Sequence, residues 1–337
     1  MHSEVRGLNI NDVAREAGVS KTTVSRVLLG GNKVKPETRE KVLEVMKRLN
    51  YTPNTSAQML AKKRNKVIGV IDTLPINDPF FGYMNDVIAS ECEKYGFRTL
   101  YAVGPWRNGT SCEREIAMLY GKVDGYVILG NGCVQKSDVE KLVQLGMPVA
   151  LFKTGFTCDG ALAVDINSVK GGEMAAEYFL KMGYKKIGYV HGGVTQNEFK
   201  EGWDRYEGFR DFLQKSGVPL KNEFYGDRTY TMAMTLVEEI IESGVEALFC
   251  ETDLMAHGIV SALIERQIRI PEQIAVLGFD GIKFRNYGLF IVLSTFEQPL
   301  EQMASCIVSS LVNRIENEVP YGKIQLFDAK FVKGRTT

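Results

Sequence analysis

The sequence predicts an all-α head carrying a helix-turn-helix, followed by an α/β core of two doubly wound parallel-sheet lobes. Three observations predict this. Residues 10–50 hold short apolar-periodic stretches on either side of a glycine. From residue 67 onward, short continuous apolar runs alternate with amphipathic stretches, the pattern of parallel strands covered on both faces by helices. Charge divides the chain at the same place. The 41 Lys/Arg and 41 Asp/Glu cancel, yet residues 1–66 hold 14 against 6 and the remainder 27 against 35. A length of 337 residues is more than one small core needs.

Asn11 can cap a first helix whose apolar side is Val13, Ala14 and Ala17. Gly18 follows where a helix end calls for positive φ, and Val19 can plug the core. Ser20 caps a second helix over 21–29, with Val24, Val27 and Leu28 inward and Lys21, Thr22, Ser25 and Arg26 outward. Two short helices across a glycine turn make a helix-turn-helix. A third helix opens at Pro36 and runs to about 50, with Val42, Val45, Met46 and Leu49 closing the core.

A second helix of this kind fits the major groove of DNA. Arg26 can donate two bonds to a guanine, Lys21 can reach guanine acceptors, and Thr22 can bond a base or touch a thymine methyl. Ser20, Thr23 and Ser25 are short hydroxyl donors suited to phosphates. The basic balance of the head agrees with a polyanion partner, although a solvated Lys-rich surface would give the same charge.

Residues 54–66 form a linker. Residues 56–61 are good helix formers but too few to be helical alone, so a helix that forms on docking is expected. The alternative is a basic tether in which Lys62, Lys63, Arg64 and Lys66 touch phosphates nonspecifically.

In the core, strands are expected at 67–71, 98–103, 125–129, 148–152, 186–190, 246–250 and 274–279. Helices are expected at 81–95, 168–182, 203–216, 231–243, 253–266 and 299–316. So many strands suit two lobes better than one sheet, with a ligand cleft at the carboxyl ends of the strands.

Other classes find little support. No apolar run approaches the ~20 residues of a membrane helix. Residues 1–11 lack the apolar stretch of a signal peptide, so a cytoplasmic protein with no membrane partner is expected. The six cysteines form no C-x-x-C pair, and His2, His191 and His257 form no metal pattern. Phosphate-loop, dinucleotide and nucleophile-elbow motifs are absent. Neither an enzyme nor a cofactor is expected.

DVAREAGVSKTTVSRVL, then VKPETREKV, then LNYTPN, resemble the DNA-binding head of the LacI/GalR repressor family. DPFFGYMNDV, KVDGYVIL, RYEGFRDFL, ETDLMAHGIVSAL, IPEQIAVLGFDGI and STFEQPLEQM resemble that family's core and, more distantly, the periplasmic sugar-binding proteins. The resemblance spans essentially the whole chain. It implies a DNA-binding domain over 1–53, a hinge helix over 54–66 and an effector-binding, dimerising core over 67–337. Within the core, lobe 1 takes 67–166 and 297–325, and lobe 2 takes 167–296 and 326–337. The resemblance places Lys21, Thr22 and Arg26 at base-reading positions and Asn54 among the DNA contacts. Leu60 becomes the residue pushed into the minor groove, where an apolar wedge unstacks a base step. Two departures stand out: Leu29 replaces a usual Asn, and Lys35 a usual Ser or Thr cap.

The same resemblance assigns an effector site. Arg205, three residues before Gly208, matches the effector-binding arginine, and Asp280 the effector-binding aspartate. Phe80 and Phe81 follow Pro79 and would wall a sugar's apolar face. Thr252 stands where Asn is common, Arg228 where an aromatic often stacks, and Lys153 where Asp is common. With Arg205, Lys153 and Arg228 on one ligand, an anionic effector is expected, a sugar acid or sugar phosphate, although Asp280 and Glu251 oppose that charge. The implied protein is a homodimeric repressor of carbohydrate-utilisation genes that binds a palindromic operator in double-stranded DNA under small-molecule control. A regulator answering to a protein co-effector is the alternative, and a sugar-binding protein without a DNA role is the more distant one.

Overall fold

The computed structural model describes residues 9–28, 34–49, 51, 64–72, 78–104, 111–130, 134–193, 200–282, 292–322 and 324–337. Residues 56–61 of the expected hinge helix, with Asn54 and Leu60, lie outside the described residues, as do Leu29 and the side chain of Leu28. The chain forms two compact units, Met1–Lys66 and Val67–Thr337.

The first unit holds α1 (Ile10–Glu16), α2 (Lys21–Leu28) and α3 (Pro36–Arg48). The cap of α1 is Asn9, not Asn11. Its side chain accepts from Asn11 N, while Asp12 Oδ2 accepts from Asn9 N at 3.0 Å, a reciprocal arrangement that places Asn11 inside the helix. Gly18 has φ +63 and carries the chain from α1 into the turn. Lys35 gives α3 no side-chain cap, and Pro36 opens it. Val13, Ala14, Ala17, Val24, Val27, Val42 and Val45 form the core, with Val19, Met46, Leu49 and Tyr51 packed around them.

The second unit has two six-stranded sheets. The first runs β11-β5-β4-β3-β1-β2, all parallel. It contains β1 (Val67–Asp72), β2 (Arg98–Val103), β3 (Gly125–Leu129), β4 (Val149–Phe152), β5 (Leu162–Ile166) and β11 (Gln325–Phe327). The second runs β12-β10-β9-β8-β6-β7 and is parallel except for the edge pair β10/β12. It contains β6 (Ile187–His191), β7 (Asn222–Tyr225), β8 (Ala247–Cys250), β9 (Ala275–Asp280), β10 (Ser294–Glu297) and β12 (Lys330–Val332).

The helices described in this unit are α4 (Pro79–Lys94), α5 (Glu113–Leu119), α6 (Lys136–Gln144), α7 (Ser168–Lys181), α8 (Lys200–Lys215), α9 (Tyr230–Thr235), α10 (Val237–Ser243), α11 (Asp253–Glu265) and α12 (Leu300–Asn317). The single helix expected over 231–243 is two. Thr235 Oγ1 donates to Met232 O at 2.7 Å, and this back-bonding sits where α9 gives way to α10. The chain passes between sheets after β5, after β10 and after β11. The last two crossings fall slightly beyond the expected 296 and 326, because Glu297 belongs to β10 and Leu326 and Phe327 to β11.

Helices α7 and α8 approach almost backbone to backbone. A Cβ on Gly172 would lie 1.9 Å from Arg205 O, and one on Gly208 would lie 2.1 Å from Val169 O. This approach sets the position of Arg205 and Glu201 on α8. Gly208→Ala is expected to push the helices apart at a cost of about 1–3 kcal/mol. A lowered thermal midpoint checks it, and an unchanged midpoint would contradict it.

Candidate DNA-reading helix and effector cleft

Helix α2 presents two chemically different sides. Val24 and Val27 are buried, Lys21, Thr22 and Arg26 are exposed, and Thr23 and Ser25 are half-buried. Ser20 Oγ accepts from Thr23 N at 3.1 Å and lies 2.9 Å from Thr23 Oγ1. These two hydroxyls therefore fix the start of the helix as well as facing outward. The base-reading set predicted from sequence forms one exposed face.

In the core, the predicted cleft residues gather at the carboxyl ends of the strands, where an open parallel sheet leaves its crevice. Lys153 directly follows β4, Glu251 and Thr252 directly follow β8, Arg228 lies just after β7, and Asp280 ends β9. Lys153, Arg228 and Asp280 have φ of 54, 65 and 132. Each is a strained conformation for a side-chain-bearing residue, costing on the order of 1–3 kcal/mol, and such strain concentrates at ligand sites.

A buried charge network joins the two lobes. Lys153 Nζ lies 2.9 Å from Glu201 Oε2 on α8 and 4.4 Å from the centre of the Phe80 ring. Arg228 Nε donates to Glu251 Oε1 at 2.7 Å, Nη2 donates to the same oxygen, and Nη1 lies 3.6 Å from Glu201 Oε1. Glu251 Oε2 accepts from Gly192 N at 2.8 Å. Arg205 is 1% exposed. Its guanidinium stacks 3.5 Å from the Phe279 ring centre and donates through Nη1 to Glu251 O, while its Nε has no partner among the described residues.

The remaining predicted residues divide. Phe80 lines a pocket beside Asp280, whereas Phe81 packs into the lobe core against Phe80 and Phe152. Thr252 caps α11, its Oγ1 accepting from Met255 N at 3.3 Å. Asp280 Oδ1 accepts from Gln298 Nε2 at 2.8 Å.

The carboxylates respond to burial and to one another. Burial pushes Asp280 up to about 7, with Asp253 and Glu201 adding and Lys153 and Arg205 opposing. Burial and Glu201 together push Asp165 up to about 7. Burial works against the charge of Glu201, yet Lys153, Arg228 and Arg205 hold its carboxyl below the usual value. Burial also raises Asp78, against the N–H groups of Phe81 and Phe80 that it caps.

A carboxyl raised in the folded state binds protons on folding, so its contribution to stability falls as pH rises from about 4 to 7. Asp280→Asn, which keeps an acceptor for Gln298, should melt above the parent at pH 8. The gap should narrow as pH is lowered towards 4. Parallel melting curves across that range would contradict the assignment.

Comparison with known proteins supplies the identity. Residues 9–54 match the family of bacterial regulatory proteins, lacI family, and residues 176–337 match the periplasmic binding protein-like domain. The chain is 31% identical over 318 residues to catabolite control protein A of Priestia megaterium, covering 92% of this chain and 93% of that one. It is 27% identical over 312 residues to the ribose operon repressor of Haemophilus influenzae, covering 91% and 92%. The chain belongs to the lacI family of bacterial regulatory proteins. A crystal structure of the lac repressor dimer bound to operator and the anti-inducer ONPF shares its fold, with a TM-score of 0.84 at 23% identity over 98% of this chain and 99% of that one.

As a lacI-family member the chain is a DNA-binding transcriptional repressor with a sugar-binding type of core, not an enzyme. Among the described residues, no helix is long and apolar enough to cross a membrane, and no group of three or more His, Cys, Asp or Glu could hold a metal ion.

One sequence expectation loses its footing. Lys153, Arg205 and Arg228 do converge, but Lys153 and Arg228 already face Glu201 and Glu251, and Arg205 a backbone carbonyl. An anion would find their charge largely met. Glu201 went unnoticed in sequence, although it stands four residues before Arg205 and so shares its helix face. Gln298 gave no sequence signal, because it becomes a cleft residue only when β10 pairs with β9.

Proposed function

We propose that this lacI-family repressor acts in the cytoplasm as a homodimer on a palindromic operator, with residues 1–53 as the DNA-binding domain and 54–66 as the hinge. Lys21, Thr22 and Arg26 read base edges, and Ser20, Thr23, Ser25 and Asn54 contact the backbone. Leu60 wedges the minor groove. The carrying observation is α2 itself: its reading residues are exposed together while Val24 and Val27 anchor the opposite side.

The core binds a small sugar-like effector between its lobes. Arg205 and Asp280 address hydroxyls, and Phe80 walls the ring. Lys153 and Arg228 hold the lobe-bridging network, while Phe81 and Thr252 support the site from behind. The ribose operon repressor relative supports a sugar class. Effector that binds one lobe arrangement better than the other shifts the hinge segments, and with them the grip on DNA.

Selection from random duplexes tests the DNA reading. The enriched sequence should be a palindrome bound by two chains, since two-fold protein symmetry demands two-fold site symmetry. An enriched single asymmetric site bound by one chain would overturn the dimer.

A further inference from the structure

We propose that the effector carries a protonated amine, which seats in the pocket between Asp280, Glu297 and Phe80. This deepens the effector assignment above and rests on it. The pocket, about 90 Å³, lies between the start of α4, the start of α12 and the ends of β9 and β10. Its polar lining consists of hydrogen-bond acceptors. Asp280, Glu297 and Glu301 bring carboxylates, and Gln298 brings its amide carbonyl. Tyr83 spends its proton on Glu301 Oε1 at 2.5 Å and offers the pocket only oxygen lone pairs.

Gln298 supplies an observation independent of the carboxylates. It is 2% exposed, its Nε2 donates to Asp280, and its Oε1 has no partner among the described residues. A buried carbonyl without a donor is costly, and a ligand donor would relieve it. With Asp280 ionised, as a bound ammonium would favour, turning the amide over would set two acceptors against each other.

No lysine or arginine among the described residues lines this pocket. Lys153 sits against Phe80 but is tied to Glu201. An anion would meet the carboxylates of Glu297 and Glu301, with Asp280 beside them, in a partly buried space. A neutral hydroxyl brings one donor, whereas an ammonium brings three and a charge opposite to that of the carboxylates. Gly281 holds the geometry. Its φ is +80, and a Cβ there would fall 2.5–2.7 Å from the side chain and backbone of Glu297. Glycine thus lets Glu297 close against the end of β9.

The test is thermal unfolding of the full chain with glucosamine, galactosamine and mannosamine. Each is compared with its parent hexose, its N-acetyl derivative and its uronic acid. At least one amine should raise the midpoint at a tenth or less of the concentration its neutral and acidic counterparts need. Glu297→Gln, and separately Glu301→Gln, should raise that concentration tenfold or more, with ligand-free melting showing that each variant is folded. An acid or neutral sugar that outranks every amine overturns the proposal, as does an amine response unchanged in both variants, or none at all. A response confined to neutral sugars leaves the effector cleft standing, and operator binding, measured separately, is untouched by either result.

Discussion

Glu251→Ala is expected to cost the core about 3–5 kcal/mol, because it removes one partner of a buried ion pair. The carboxylate that Arg228 Nε and Gly192 N both address would be gone, and Arg228 would lose its nearest anion. For a body of this size the thermal midpoint should fall on the order of 10 °C. The double change Glu251→Met with Arg228→Leu should recover most of the loss, since replacing both charges with apolar groups is often neutral. The comparison separates two accounts. If the network only bridges charges, the double variant melts near the parent. If Glu251→Ala itself melts with the parent, the Arg228–Glu251 pair contributes nothing to stability.

Arg26→Ala should weaken binding to the selected operator by about 5–150-fold, the ~1–3 kcal/mol of a bidentate base contact. Binding to unrelated duplex should change by less than about threefold, since that affinity comes from phosphates. Specificity should relax at one base position in each half-site. Competition against duplexes altered one base at a time reads this directly. A uniform loss across all duplexes would make Arg26 a phosphate contact instead.

Much of this was legible in the sequence, and what was not has physical reasons. Six of the seven expected strands announce themselves because parallel strands buried on both faces need continuous hydrophobic runs; β2 was legible although it is a mostly exposed edge strand, and β5, LAVDI, was missed although it is buried. The other edges do not: β7 reads NEFY, β11 reads QLF and β12 reads KFV, short and half-exposed, so tertiary pairing decides them. STFE of β10 is polar, yet Ser294 is fully buried, its backbone N donating to Thr336 Oγ1 at 2.9 Å, a partner 42 residues away. No local pattern carries that information. The head cap slipped by two residues because Asn9 and Asn11 are equally good caps, and only Asp12 bonding back to Asn9 N decides between them.

The cleft shows the same division. Arg205, Asp280, Lys153 and Arg228 could be named from local motifs, but their charge state could not. Glu201 and Glu251 reach them from other elements, and burial rather than residue type lifts Asp280 and Asp165. Spatial pairing ties two of the three cations that pointed to an anion to carboxylates within the protein and sets the third on a backbone carbonyl.

The measurement closest to the central claim is a salt titration of the full chain on its selected operator and on a scrambled duplex of equal length. Operator binding should be at least about 10³-fold tighter than binding to the scrambled duplex. Both affinities should fall steeply with salt, as counterion release at several phosphates requires. Equal affinity for the two duplexes, with a nearly flat salt response, would contradict a repressor that reads DNA through α2.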